Sequence, residues 1–470
     1  MHMTKTTASA AGSWRELLGR DYGGATTVLA GGVAIYAINE FITMSLLPSV
    51  VADIGGERLY AWVTTVYLVS SVVAATTVGP VLTRFGPRWS YLGALLSFSA
   101  GSALCTLAPT MQLLLVGRVV QGLAGGLLAG LGYAVISAAL PDRLWTRASA
   151  VVSAMWGVGT LIGPTTGGLF AQFGSWRGGF AALAILAVAM SLLVPIALPG
   201  RVPPSAEDSA GPRIPAWSLV LLGLAALAVS AAAIPRNVAV TVGLLALGVA
   251  LVLAFLVVDR RAVAAVLPRS AFGPGPLKWI YASLGLLMAA TMVDMYVPLF
   301  GQRLGGLAPV VAGFLGAALS VGWTVGEIAS ASVTNIRATV RLVAAAPLVM
   351  ATGLMLAAFS QTDGATVGYV AIWAVALAIA GAGIGIAWPH LSAWAMGSVV
   401  DDPAEQAVAA AAINTVQLMC GAFGAGLAGV LVNLRESADA NAAQWMFGVF
   451  AAFAAVGVVA SYRSGRGQIR

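Results

Sequence analysis

The sequence predicts an all-α polytopic membrane protein with fourteen transmembrane helices in a six, two, six order. Three observations carry that reading. The chain is 59% hydrophobic and only 9% charged over 470 residues, well outside the composition of soluble globular domains. Apolar runs of about 20 residues, long enough to cross a bilayer, fill nearly its whole length. The basic residues fall in the breaks between these runs, and on one side of them far more than the other.

Residues 1–25 carry Lys5, Arg15, Glu16, Arg20 and Asp21 ahead of the first long apolar run. They read as a cytoplasmic N-terminal segment rather than a cleavable signal peptide. Within them, Ser13–Tyr22 places Trp14, Leu17 and Leu18 among charges, which suits either a short interfacial helix or disorder. Six spans follow at about 26–49, 59–80, 89–108, 111–139, 146–173 and 178–198, forming an N-terminal bundle over 26–198. The linker 199–276 opens with a polar stretch, Pro199–Pro215, holding Pro203, Pro204, Glu207 and Asp208. It then carries two extra spans at about 216–234 and 238–258, and ends in a second polar stretch with Arg260, Arg261, Arg269 and the Pro274-Gly275-Pro276 break. The extra pair has no ionisable residue within its spans and little polarity, which predicts a peripheral, lipid-facing position. Spans at about 277–300, 309–333, 338–360, 366–395, 406–433 and 443–462 form the C-terminal bundle over 277–462, and 463–470 is a cytoplasmic tail.

With the N-terminus inside, 18 of the 24 basic residues fall on the cytoplasmic side, and only Arg58, Arg177, Arg236, Arg303 and Arg435 fall outside, Arg118 lying within a span. Both termini are therefore expected in the cytoplasm, since an odd number of spans would break the bias. Scattered basic residues exclude a nucleic-acid surface. Cys105 and Cys420 lie far apart within spans and read as small buried hydrophobes, not a disulfide or metal pair. No metal or nucleophile constellation suggests an enzyme, no cofactor is implied, and the chain is expected to be a monomer.

The motifs begin in span five, where Gly159-x-x-x-Gly163-Pro164-x-x-Gly167-Gly168 would weaken a soluble helix. In a bilayer small residues admit a close neighbour, so the run marks a tightly packed, bendable contact. In span four, Arg118, Gln121, Gly122 and Gly125 share one helical face, and the charge needs a partner at that depth. Between spans two and three lies the loop Gly79-Pro80-Val81-Leu82-Thr83-Arg84-Phe85-Gly86-Pro87-Arg88.

These motifs, with the six, two, six layout, resemble those of the fourteen-helix drug:proton antiporters of the major facilitator superfamily. The Gly-Pro run resembles the family's fifth-helix antiporter signature, and Arg118 with Gln121, Gly122, Gly125 and Gly126 its arginine motif. The loop, with Gly79, Arg84, Gly86 and Arg88 in place, is similar to the cytoplasmic loop motif. Where the family has an acid this chain has Thr83, which weakens the latch that the motif implies. Shorter matches are Leu47-Pro48, Ser175-Trp176-Arg177, the Tyr296-x-Pro298-Leu299 run with Gln302, and Asn414-x-x-Gln417 ahead of Gly421 and Gly424.

Only Glu40, Asp294 and Glu327 place acids well inside spans, where a bare aspartate costs roughly 2.5–3.5 kcal/mol at the helix centre. Glu40 lies about 12 Å from the outer edge at 1.5 Å per residue, with Tyr36, Asn39 and Thr43 on its face and Arg118 at similar depth. A Glu40–Arg118 pair that exchanges a salt bridge for a protonated acid is the expected coupling element, and Asn39-Glu40-Phe41 resembles the acidic first-helix site of multidrug antiporters. Asp294 lies at the same level in the other half and could carry a proton, touch substrate or line the outer vestibule. Glu327, nearer the inner end, is expected to pair with Arg337 or Arg341 as an inner gate, and His390 to be interfacial. The substrate cavity is expected to be lined by Tyr36, Asn39, Thr43, Gln121, Met155, Trp156, Tyr296, Asn414 and Gln417. Met155, Trp156, Trp323, Trp388 and Trp394 would suit a bulky apolar or cationic cargo if they face it, and otherwise pack against lipid or core. The resemblance thus implies proton-coupled efflux of hydrophobic or amphipathic compounds from a bacterial inner membrane. A lipid or glycolipid exporter or a proton-coupled importer on the same fold, and less readily a receptor, are the alternatives.

Overall fold

A computed structural model describes residues 13–200, 214–333, 335–399, 402–434 and 440–469. The bulk of the polar linker (201–213), together with Lys5, Arg435 and Arg470, lies outside the described residues. The described residues form fourteen long helices: α1 Gly23–Ile54, α2 Tyr60–Ala75, α3 Val78–Thr106, α4 Met111–Ala134, α5 Trp145–Gln172, α6 Trp176–Ala197, α7 Ala216–Ala231 and α8 Val238–Arg261, then α9 Leu277–Gly305, α10 Pro309–Ala331, α11 Ile336–Ser360, α12 Val367–Gly397, α13 Pro403–Asn433 and α14 Ala440–Ile469. Eleven candidate spans among the described residues are long and apolar enough to cross a membrane. The other three helices are α3 and α5, of membrane length but rich in small and polar residues, and α7, which is shorter at 16 residues.

Four sequence expectations change. The segment 79–88 is helical rather than a loop: α3 starts at Val78 and is interrupted only at Gly86 (φ 75°, ψ 170°), a conformation that glycine alone adopts without strain. Thr83 Oγ1 bonds back to the carbonyls of Gly79 and Pro80, and Arg88 caps the end of α6 through the Leu198 carbonyl. Span seven is not continuous: α9 tightens to a 3₁₀ turn at Met292–Tyr296. Pro298 is the cause, because it lacks the N–H that would bond the Asp294 carbonyl one turn back. Such breaks are tolerated where the protein buries them, and all five residues here are buried. Residues 463–469 continue α14 rather than forming a tail. Ahead of α1, Trp14–Leu17 forms one helical turn with Ser13 as its cap and Leu17 buried.

The fourth change concerns the extra pair. Helix α8 is largely lipid-facing, with Val240, Val242, Val249 and Leu253 exposed. Helix α7 is instead wedged between α2 and α13 and is not without polarity. Ser230 Oγ donates to Thr65 Oγ1 (2.8 Å), Trp62 Nε1 donates to the Ser230 carbonyl (3.0 Å), and Arg58 to the Ile234 carbonyl (2.8 Å). At the other end of the pair, buried Asp259 accepts from Ser218 Oγ and the amides of Val266 and Leu267.

Glycines set the closest approaches. On α5, a Cβ at Gly159 would lie 2.6 Å from Ala37 Cβ, and at Gly163 2.4 Å from Phe41 Cβ, both on α1. Gly167 continues the same contact against the Ile42 carbonyl, whereas Gly168 meets Val310 and the Pro164 carbonyl faces Gly313, both on α10. On α4, Gly122 and Gly126 let the backbone of α2 approach so closely that a Cβ would fall 2.5 Å from the Tyr67 oxygen and 2.1 Å from the Ser71 oxygen.

Candidate functional site

The close approach of α2 to α4 brings a main-chain carbonyl to the one charge buried in the N-terminal bundle. Arg118 is 1% exposed. Its Nε donates to the Val63 carbonyl (3.1 Å), while Nη1 is shared among Asn39 Oδ1 (3.1 Å), Thr43 Oγ1 (3.3 Å) and Gln121 Oε1 (2.9 Å). The guanidinium lies 4.1 Å over the Tyr67 ring, a favourable cation–π geometry. Gln121 is held in turn by Ser102, to which its Nε2 donates at 2.8 Å, and by the Cys105 thiol. A guanidinium at this depth is tolerable because several acceptors replace its water.

Glu40 is one residue beyond Asn39 but is half-buried, and among the described residues its carboxylate makes neither a hydrogen bond nor an ion pair. The expected Glu40–Arg118 salt bridge is therefore absent in this conformation: neutral oxygens from Asn39, Thr43 and Gln121 occupy Nη1, leaving Nη2 without a hydrogen bond. Tyr36, one turn before Glu40, stacks on Tyr67 (5.6 Å) and meets Trp156 edge-on (5.6 Å). Aromatic rings thus run from Arg118 to α5, with half-buried Met155 beside Trp156. Asp294, placed in the 3₁₀ turn, is buried with Oδ1 unpartnered, and it lies close enough to Glu40 for the two charges to act on each other.

Other expected residues lie apart from this centre. Tyr296 stacks on Tyr60 (4.7 Å) at the charge-poor end, where Tyr60 also donates to the Met295 carbonyl. Gln417 is half-buried and Asn414 exposed, one and two turns before Gly421, which packs on Leu68. They therefore line the α13 side of the cleft between halves. Glu327 makes no ion pair with Arg337 or Arg341: both arginines are exposed on the first turns of α11, which Asn335 caps, and the polar neighbour of Glu327 is Trp323. His390 hydrogen-bonds the Ser330 carbonyl, and Trp323 and Trp388 pack on each other at 5.3 Å. Arg84 lies over the exposed Phe85 ring. Tyr67, Ser102 and Cys105 complete the arginine site and were not anticipated. The spacing of Tyr60 and Tyr67, two helical turns apart on one face, is the signal that could have found Tyr67.

Every hydrogen bond or ion pair between the two halves, among the described residues, lies at the charge-poor end: Tyr60 to Met295, Arg303 to Glu57, and Asn433 to the Arg58 carbonyl. Two helical halves joined at one end, with a buried, neutrally ligated arginine at mid-depth, have the architecture of a membrane transporter. The sequence profile of the Major Facilitator Superfamily matches residues 29–425. The chain is 61% identical over 465 residues to the probable multidrug-efflux transporter Rv1634 of Mycobacterium tuberculosis (strain ATCC 25618 / H37Rv), covering 98% of both proteins. It is 25% identical over 412 residues to the multidrug transporter protein MdtP of Bacillus subtilis (strain 168), covering 85% of this chain and 73% of MdtP. Among solved structures, the POT family transporter PepTSo superposes with a TM-score of 0.67 at 14% identity, covering 95% of this chain and 98% of PepTSo. The chain belongs to the Major Facilitator Superfamily; it is a multi-pass transporter of the bacterial plasma membrane and not an enzyme.

Proposed function

We propose that this chain is a multidrug-type efflux transporter that exchanges protons for hydrophobic or amphipathic small molecules as a monomer. In this reading it has fourteen crossings with both termini cytoplasmic, and the halves 26–198 and 277–462 rock about the linker 199–276. The cargo class is supported by the 61% identity to proteins named as probable multidrug-efflux transporters. The mechanism is carried by one observation: Arg118 is held by neutral acceptors with Nη2 free, beside an unpaired Glu40.

A Glu40 that has lost its proton is drawn to Nη2, since charge attraction is strong where water is scarce. A protonated Glu40 leaves Arg118 to Asn39, Thr43 and Gln121, the arrangement described above. Protons arriving from outside then favour opening toward the cytoplasm, and cargo entering along Tyr36 and Trp156 competes with the proton before export. Asp294 senses the charge state of Glu40 from the opposite half. By the positive-inside rule the charge-poor end, closed here, faces outward.

The test is dye extrusion by everted vesicles under an imposed pH gradient. Wild type is expected to extrude dye, and Glu40→Gln to bind it without gradient-driven extrusion. Asp294→Asn is expected to extrude with an altered pH dependence. Undiminished extrusion by Glu40→Gln would remove the proton role.

A further inference from the structure

A cavity of about 510 Å³ opens at the charge-poor end, and its walls come from three parts of the chain. One half supplies Glu57, Arg58 and Tyr60, the other Tyr296 and Arg303, and the α7–α8 turn supplies Arg236. Three of the five arginines assigned to this face thus converge on one space. Among the described residues its single acid, Glu57, is already paired with Arg303, so the described lining keeps a formal charge of +2. Arg58 spends Nη1 on the Ile234 carbonyl, and Arg236 makes no hydrogen bond or ion pair among the described residues. The Tyr296 hydroxyl is buried, on a side chain 1% exposed, and has no partner. One wall is apolar: Val51, Leu299 and Val432 line it, and Val238, 63% exposed, continues it onto the lipid-facing side of α8.

We propose that this cavity binds a phosphate-type oxyanion carried by an amphiphile. Arg58 and Arg236 hold the charged oxygens, and the hydrocarbon portion runs along α8. Guanidinium groups suit such an anion because their planar donors pair with two of its oxygens. Because the site is built from both halves and the extra helix pair, occupancy ties the closed end together. The oxyanion has two possible sources, the headgroup of an anionic phospholipid in the outer leaflet or inorganic phosphate from the medium.

The experiment uses the full chain in nanodiscs and reads the thermal unfolding midpoint. Three conditions are compared: phosphatidylcholine alone, phosphatidylcholine with phosphatidylglycerol, and phosphatidylcholine with added inorganic phosphate. A ligand that binds only the folded protein raises the midpoint. Phosphatidylglycerol is expected to raise it in wild type and in Arg177→Gln, a same-face arginine that does not line the cavity. The rise is expected to disappear in Arg236→Gln and shrink in Arg58→Gln. A comparable rise with inorganic phosphate supports the site and assigns its oxyanion to the water phase. No rise in wild type under either condition, or a full rise retained in Arg236→Gln, overturns the proposal. Arg236 is exposed and makes no contact that folding needs, so its variant separates binding from folding.

Discussion

Gln121 links three side chains: Arg118 donates to its Oε1, the Cys105 thiol shares that oxygen, and its Nε2 donates to Ser102. Gln121→Leu keeps the volume but removes the acceptor. A hydrogen bond to a charged group contributes about 1.5–3 kcal/mol, and a buried charge short of a partner costs more than the bond itself. Gln121→Leu should therefore destabilise the protein by at least about 2 kcal/mol, read as a lower unfolding midpoint in detergent, whereas Cys105→Ala should change it far less. Outside the membrane, Arg143 donates to Glu16 through Nε and Nη2 and holds that carboxyl below its ordinary value. A depressed carboxyl stabilises the fold above its unfolded value and loses that contribution as pH falls through its folded value. Acidification below the ordinary carboxylate range should therefore speed hydrogen exchange in Trp14–Leu17, and Glu16→Gln should exchange quickly at every pH. Helical periodicity brought Asn39, Thr43 and Gln121 to the depth of Arg118, but as cavity residues; that they, and not Glu40, hold the guanidinium shows only in the structure. Tyr67 was not legible, because its ring reaches Arg118 only through the α2–α4 contact that Gly122 and Gly126 permit.

Helix α7 shows how far apolar composition informs and where it stops. The apolar run over 216–234 forms a helix over Ala216–Ala231, yet its place between α2 and α13 depends on Ser230 and on main-chain carbonyls, which composition does not register. Three of its hydrogen bonds run to the α1–α2 corner and α2, through Arg58, Trp62 and Thr65, whereas the opposite half offers Asn433, which donates to the carbonyls of Ala233 and Arg58. These bonds predict that the helix moves with the N-terminal half, with Asn433 the contact that breaks when the charge-poor end opens. A neutral hydrogen bond contributes about 1 kcal/mol net, and both bonds of Asn433 cross the moving interface, so Asn433→Ala should raise the population open at that end by roughly five- to thirtyfold. Spin-label distances across the two halves would read it. Trp62→Phe removes a bond within one moving body and should leave those distances unchanged, so equal effects of the two variants would contradict the assignment. On α5, Gly163→Leu would force its Cβ against Phe41 and should cut both folded yield and extrusion, while Leu161→Ala, on a 65% exposed position, should spare them.

For the whole molecule, the order of the long helices was legible because apolar runs of about 20 residues mark them whichever way the transporter faces. The conformation was not, because two states of a transporter differ by only a few kcal/mol and expose largely the same side chains to lipid. The three polar links between halves, among the described residues, all sit at one end, so the charge-poor end is the joined end in this structure. If Glu40 sets that balance, the distances across the molecule must follow its charge. Labels at exposed Ala52 and Ala308, in a background without Cys105 and Cys420, report the charge-poor end. At acidic pH, with Glu40 protonated, they should give a single short distance. As pH rises and Glu40 is drawn to Nη2 of Arg118, a longer component should grow in. Glu40→Gln should hold the short distance at every pH, because it supplies a neutral side chain throughout. Asp294→Asn should move the midpoint of the wild-type change without abolishing it, since that carboxylate acts on Glu40 through charge alone. A pH response that persists in Glu40→Gln and vanishes in Asp294→Asn would exchange the two roles and place the main proton carrier on the broken helix α9.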